Sequence, residues 1–187
     1  LDKLQGEGHL YSGDIDTIEM PKTEKRLREA GYGENIWTPR FMNFADIDKL
    51  AEEVGGFDFV LADLGVSSMQ IDNPERGFSY KEEAPLDMRM DQSQELSAET
   101  IVNEYSKDEL IRILREYGEE KFASRIAENI LKERASCRLT KTGELVSIIK
   151  HSIPMKAQVA GGHPAKRTFQ AIRIECNREL TVLREHM

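Results

Sequence analysis

No run of about eighteen apolar residues, the length that crosses a bilayer, occurs in this sequence. That absence predicts no membrane partner. Its two cysteines, Cys137 and Cys176, sit in no CxxC or Cys/His spacing, which argues against a disulfide framework or a zinc site. No metal is expected, and a reducing, cytoplasmic compartment fits best. There is no internal repeat and no low-complexity segment, so the reading must come from single elements and their order.

Charge, in contrast, is plentiful. Charged residues make up 32% of the chain and the net charge is −8, which by itself disfavours a nucleic-acid partner. The distribution is uneven, however: residues 1–120 hold 13 Lys and Arg against 28 Asp and Glu, whereas residues 121–187 hold 13 against 6. Clustered cations gain affinity by displacing counterions from phosphates, so the basic portion reads either as a polyanion-binding face or as an ordinary solvated helical surface.

Along the chain, the spacing predicts a strand at Leu10–Gly13, a helix near Met20–Ala30 ended by Gly31 and Gly33, a strand at Trp37–Phe41 and a helix at Ile47–Val54 closed by Gly55-Gly56. Phe57–Leu64 is almost continuously apolar and reads as the clearest strand, buried on both faces of a parallel sheet. Such alternation predicts an α/β fold with a doubly wound sheet, whose ligands bind beyond the carboxyl ends of the strands. The ends concerned are Asp14-Ile15-Asp16, Asn43-Phe44 and Asp63-Leu64-Gly65. From about Leu96 the texture turns helical: a capping box at Ser106–Glu109 with Gly118 as the stop, a stripe of Phe122, Ile126 and Ile130, a helix capped by Thr142, and a last helix opened by His163-Pro164 and running to the chain's end. The chain begins at Leu1 and enters a strand within ten residues, as if midway.

Several residues could carry chemistry. Asp14, directly after a strand, can accept both hydroxyls of a nucleoside ribose; Asp16 reads better as a helix cap. Gly6-Glu7-Gly8 precedes a strand and is rejected as a phosphate loop, and Gly161-Gly162-His163 reads as a hinge and cap. Residues 63–91 form a connection much longer than the usual two to six or so, and loops that long usually bind or catalyse. Within it Asp63, Ser67 and Ser68 are the catalytic candidates and Gln70 a ligand contact, while Arg76 and Arg89 can hold phosphate. Pro74, Pro85, Met88 and Met90 read as structural. Lys166, Arg167 and Arg173 gather near one helix start as further RNA-contact candidates.

Taken together, GDID at 13–16, NF at 43–44, DLGVSSMQIDNPERGFSY at 63–80, PLDMRMD at 85–91, YGEEKFASRIA at 117–127 and GHPAKRTFQAIRIECNREL at 162–180 resemble the bacterial S-adenosylmethionine-dependent methyltransferase family that modifies the N4 amine of a cytidine in small-subunit (16S) ribosomal RNA. The resemblance implies a partial Rossmann-like methyltransferase domain at 1–92, a helical, RNA-holding inserted domain at 93–180, and a shortened helix at 181–187. It implies S-adenosylmethionine as cofactor, with Asp14 at its ribose, Phe44 and Asp63 around its adenine and Gln70 nearer its methionine end. It also places the family's first strand before Leu1 and its closing strands beyond Met187. A sheet so shortened is expected to aggregate, to form a swapped homodimer or to pair with a further segment. Two other readings remain open from the residues alone: a nucleoside-cofactor methyltransferase or dehydrogenase acting on a small molecule, and a non-catalytic RNA-binding or assembly module.

Overall fold

The computed structural model describes residues 1–63, 65–160 and 162–180, which contain two β-strands and nine α-helices. No helix among them is long and apolar enough to cross a membrane. The described residues form two compact units: one holds Leu1–Gly65 with Met90–Gln92, the other Val66–Arg89 with residues 93–180. This division differs from the expected one at 92, because most of the long connection packs with the helices.

The first unit is built on a βαβ arrangement. Strand β1 (Leu10–Asp14) lies parallel to β2 (Trp37–Phe41), with Leu10 opposite Trp37 and Asp14 opposite Phe41. Helix α1 (Glu19–Glu29) connects them. The Asp16 carboxylate, fully buried, accepts from the N–H groups of Ile18 at 2.8 Å and Glu19 at 2.9 Å, satisfying donors that a helix start leaves without partners. Trp37 is 3% exposed. Its indole N–H donates to the Ser12 hydroxyl at 2.9 Å, and the Arg28 guanidinium lies over its ring at 5.0 Å, so one side chain ties both strands to the end of α1. Helix α2 (Ile47–Val54) follows β2 and ends at Gly55.

The clearest expected strand is not one. Residues 57–63 form no ladder with β1 or β2, and Phe59, Val60 and Leu61 are 79%, 58% and 79% exposed. Phe57 is tied back, edge-on to Tyr11 at 6.1 Å. An apolar run has the composition of a buried strand, but a strand exists only where a neighbour accepts its backbone bonds. Neither described strand does so.

The second unit contains α3 (Ser68–Ile71), α4 (Ala98–Glu104), α5 (Lys107–Glu116), α6 (Ala123–Arg134), α7 (Thr142–Ser152), α8 (Met155–Ala160) and α9 (Lys166–Cys176). Ser106 and Glu109 form the expected capping box. Ile126 and Ile130 of α6, Leu110, Ile113 and Leu114 of α5, and Phe169 and Ile172 of α9 fill one core, each no more than 3% exposed. Helix α9 does not run to the chain's end: it stops at Cys176, and Arg178 has a φ of 51°, a conformation that breaks helical hydrogen bonding. Residues 181–187, expected as a shortened helix, lie outside the described residues. Thr142, expected to cap α7, is instead its first residue, and its fully buried hydroxyl faces the preceding connection. It accepts from the Ala84 N–H at 2.9 Å and donates to the Glu82 carbonyl at 2.8 Å.

Two glycines are set by close approach. Gly118, expected to end α5, lies in the turn just after it, and the left-handed conformation there belongs to Glu119, with φ 49°; a Cβ at Gly118 would lie 2.5 Å from the Arg167 carbonyl oxygen at the start of α9. Gly77 combines a φ of 69° with a would-be Cβ only 2.2 Å from the Pro85 carbonyl oxygen. Gly77→Ala is therefore expected to destabilise the second unit by about 3 kcal/mol or more, since strain and overpacking add, read as a lowered midpoint in urea unfolding. Thr142→Val, which strands the Ala84 donor, is expected to cost about 1–3 kcal/mol in the same measurement.

Candidate functional site

In the first unit, the parallel register brings the carboxyl ends of β1 and β2 side by side. The Met42 N–H donates to the Asp14 carbonyl at 3.1 Å, prolonging the pairing by one residue. The Asn43 side chain then accepts from the Ala45 N–H at 3.1 Å and turns the chain into a 3-10 turn, Phe44–Asp46. Asp14 and the half-buried Phe44 thus leave the same edge of the sheet. The Asp14 carboxylate is exposed. Its Oδ1 accepts from the Asp16 N–H at 2.8 Å, which orients the group, while Oδ2 has no partner among the described residues. An oriented carboxylate with a free oxygen at a strand's end can accept hydroxyl donors. Asp63 is exposed at the far end of the unpaired 57–63 segment. A cleft of about 780 Å³ in this unit is lined by residues such as Met20, Arg28, Thr38 and Arg40, and by none of these three.

Gln70, Ser67 and Ser68 belong to the other unit. Ser67 caps the short helix α3: its hydroxyl accepts from the Gln70 N–H at 3.3 Å, and the Gln70 side-chain oxygen accepts from the Ser67 N–H at 2.8 Å. Gln70 is 6% exposed, whereas the Ser68 side chain faces solvent.

The arginines of the connection, expected to hold phosphate, both have partners inside the unit. Arg76 is 3% exposed, donates through Nη2 to the Arg89 carbonyl at 3.0 Å and lies over the Phe78 ring at 5.5 Å. Arg89 grips Asp87 with two parallel hydrogen bonds of 2.9 Å and donates to the Gln94 carbonyl at 2.8 Å. Burial works to raise the Asp87 carboxyl, but the Arg89 hydrogen bonds and charge, with that of Arg76, outweigh it and hold the group below the usual carboxylate range. A buried cation such as Arg76 needs such partners.

On α9 the three candidates separate. Arg173 donates through Nε and Nη2 to the Glu179 carboxylate, at 2.9 and 3.1 Å, and Arg167 is exposed but donates to the Glu119 carbonyl at 2.8 Å. The neighbouring Gln170 donates to the Tyr117 carbonyl at 3.0 Å. These last two bonds seat α9 on the turn after α5. Lys166 alone of the three is exposed with no partner among the described residues. What sequence reading missed is a ring pair: Tyr80 and His163 stack with centroids 4.3 Å apart and planes 12° from parallel. Both lie in long motifs already singled out, but nothing in the order of residues signals that they meet.

The MraW methylase family model matches residues 1–187. The chain is 46% identical over 192 residues to ribosomal RNA small subunit methyltransferase H 1 of Agathobacter rectalis, covering 100% of this chain and 55% of the relative. It is 49% identical over 185 residues to ribosomal RNA small subunit methyltransferase H of Clostridioides difficile, covering 97% and 58%. It is 56% identical over 137 residues to the protein of that name in Salinispora tropica, covering 73% and 36%. The chain thus spans a little over half the length of the first two relatives.

His163 supplies a pH test. Burial first, and the Lys150 charge second, hold its pKa below 6.5. The folded state then binds fewer protons than the unfolded chain between the two values, so stability is complete above about pH 6.5 and is lost as pH falls through the folded pKa. A ring-proton NMR titration is expected to give a value below 6.5. In the same window the denaturation midpoint should fall with acidification, and less so in His163→Asn.

Proposed function

We propose, since this chain belongs to the MraW methylase family, that it forms part of an enzyme transferring a methyl group from S-adenosylmethionine to the N4 amine of a cytidine in small-subunit (16S) ribosomal RNA. The observation that carries this reading is the oriented Asp14 carboxylate beside Phe44 at the carboxyl edge of a parallel strand pair, in a chain that matches the family from end to end. That edge is where open α/β sheets bind ligands. The donor set fits the cofactor: Asp14 Oδ2 is free to accept ribose hydroxyls, and Phe44 offers a half-buried ring to the adenine.

When bound, S-adenosylmethionine supplies an electrophilic methyl group on a sulfonium sulfur. This chain's residues bind and orient. In this proposal Asp14 accepts the ribose hydroxyls, and Phe44 and Asp63 flank the adenine. No protein nucleophile is required, because the cytidine amine attacks directly and positioning lowers the barrier. A cytidine in structured RNA reaches such a site unpaired or flipped. The helical unit is proposed as an insertion that holds the RNA, with exposed cations such as Lys166 on phosphates.

Calorimetry with S-adenosylmethionine tests the cofactor half of the reading: Asp14→Ala is expected to weaken binding at least about tenfold, the cost of a hydrogen bond to a charged group. Unchanged affinity would remove Asp14 from the site. Methyl transfer by the full-length enzyme from labelled cofactor to small ribosomal subunits tests the substrate half. Transfer to a small metabolite with none to the subunits would sink the RNA assignment.

A further inference from the structure

Three rings of the second unit run outward from its core. Phe169 of α9 is 3% exposed. Tyr80 meets it edge-on, at 5.7 Å and 86°, and His163 stacks flat on Tyr80 at 4.3 Å. Tyr80 and His163 are both half-buried, and among the described residues no further ring follows His163. The imidazole is held in place: its Nδ1 accepts from the Ala165 N–H at 3.2 Å, and Pro164 restricts the backbone of His163. The outermost member of the stack is therefore an oriented ring with one face already occupied by Tyr80.

The charges nearby are cationic. Lys150 is close enough for its charge to disfavour protonation of His163, and burial acts in the same direction. Lys166 opens α9 three residues after His163. Both lysines are exposed without an acidic partner among the described residues. Some other cations of the unit are already engaged: Arg112 and Arg138 pair with carboxylates, and Arg134 donates to the Val102 and Tyr105 carbonyls. An oriented flat ring beside free ammonium groups matches a ligand that is itself flat and anionic at its margins. Single-stranded nucleic acid has this form, since each base has a π-face and each linkage a phosphate.

We propose that the Tyr80–His163 stack is a nucleobase-binding platform, taking one unpaired base of an RNA strand on the face of His163 turned away from Tyr80, with flanking phosphates on Lys150 and Lys166. This rests on the reading of the chain as part of an RNA methyltransferase. It names a contact with an RNA base on the helical unit itself.

The test uses the 187-residue chain, a short labelled single-stranded RNA and, as a control, inorganic polyphosphate. Two variants at one position separate the roles of the ring. His163→Phe keeps a π-face and loses the acceptor for the Ala165 N–H; His163→Asn keeps an acceptor and loses the face. Stacking predicts that His163→Asn weakens RNA binding by roughly five- to a hundredfold, the range found for removing one base–aromatic stack, while His163→Phe stays within about twofold. RNA, but not polyphosphate, should move the His163 ring protons upfield. Lys150→Ala with Lys166→Ala should reduce the salt slope of binding by about 1.4. Matched circular dichroism and unfolding midpoints show that the variants fold.

The reverse order of the two His163 variants would identify a purely structural cap and overturn the proposal. Equal affinity of all three proteins would place the RNA elsewhere, overturning the platform while leaving the RNA reading intact. Ring shifts with polyphosphate as large as with RNA would reduce the feature to a phosphate site and also overturn it. A chain that binds no RNA at all would count against both the platform and the RNA-holding role of this unit.

Discussion

The backbone of residues 84–88 has few partners of its own. Proline at 85 removes a donor, and the positive φ of Met88 keeps the chain out of both helix and sheet. Buried peptide groups must still be paired, and here the partners come from the helices. The Leu86 N–H donates to the Thr140 carbonyl, the Thr142 N–H to the Ala84 carbonyl and the Glu99 N–H to the Leu86 carbonyl, while the Asn177 side chain donates to the Met88 carbonyl at 2.8 Å. Leu86 and Met88 are 1% and 0% exposed as a result. The connection is thereby a layer of the helical core, anchored at the starts of α4 and α7 and just beyond the end of α9.

That constraint sorts the cations. Arg76 and Arg89 belong to the same layer and spend their guanidiniums on its carbonyls and on Asp87. Cys176, pressed against the layer through the Leu96 and Asp87 carbonyls, has its thiol pushed up to about 12, mainly by burial. It is a packing residue and not a nucleophile. Exposed cations such as Lys166, at the start of α9, are left for an outside anion. The absence of a side chain at Gly118 lets α9 come close enough for Arg167 and Gln170 to bond the turn after α5, and so sets where that end sits.

The strand-bearing unit depends on a different requirement. Two parallel strands place the Asp14 carboxylate at one edge by register alone, opposite Phe41. The apolar 57–63 segment has the composition of a third strand and no ladder. In a parallel sheet the backbone bonds of each strand are made by its neighbours, so a strand's existence is a property of the sheet and not of the segment.

Local order was largely legible from residue pattern. The bounds of β2 and α2, the capping box at Ser106–Glu109, the buried stripe of Ile126 and Ile130, and the family itself follow from periodicities and motifs carried within short stretches, where physical cause and sequence neighbourhood coincide. Long-range pairings were not legible. That Thr142 serves residues 82–84 and does not cap its own helix, that α9 stops at Cys176, that Arg76 and Arg173 turn to internal partners, and that Tyr80 meets His163 were all decided by tertiary contact. The same residue types would satisfy either role, and only the position of a partner distant in sequence chooses between them. For the loop of residues 63–91, sequence determined that it is unusual and which chemical groups it carries; the fold decided that most of those groups hold the loop in place.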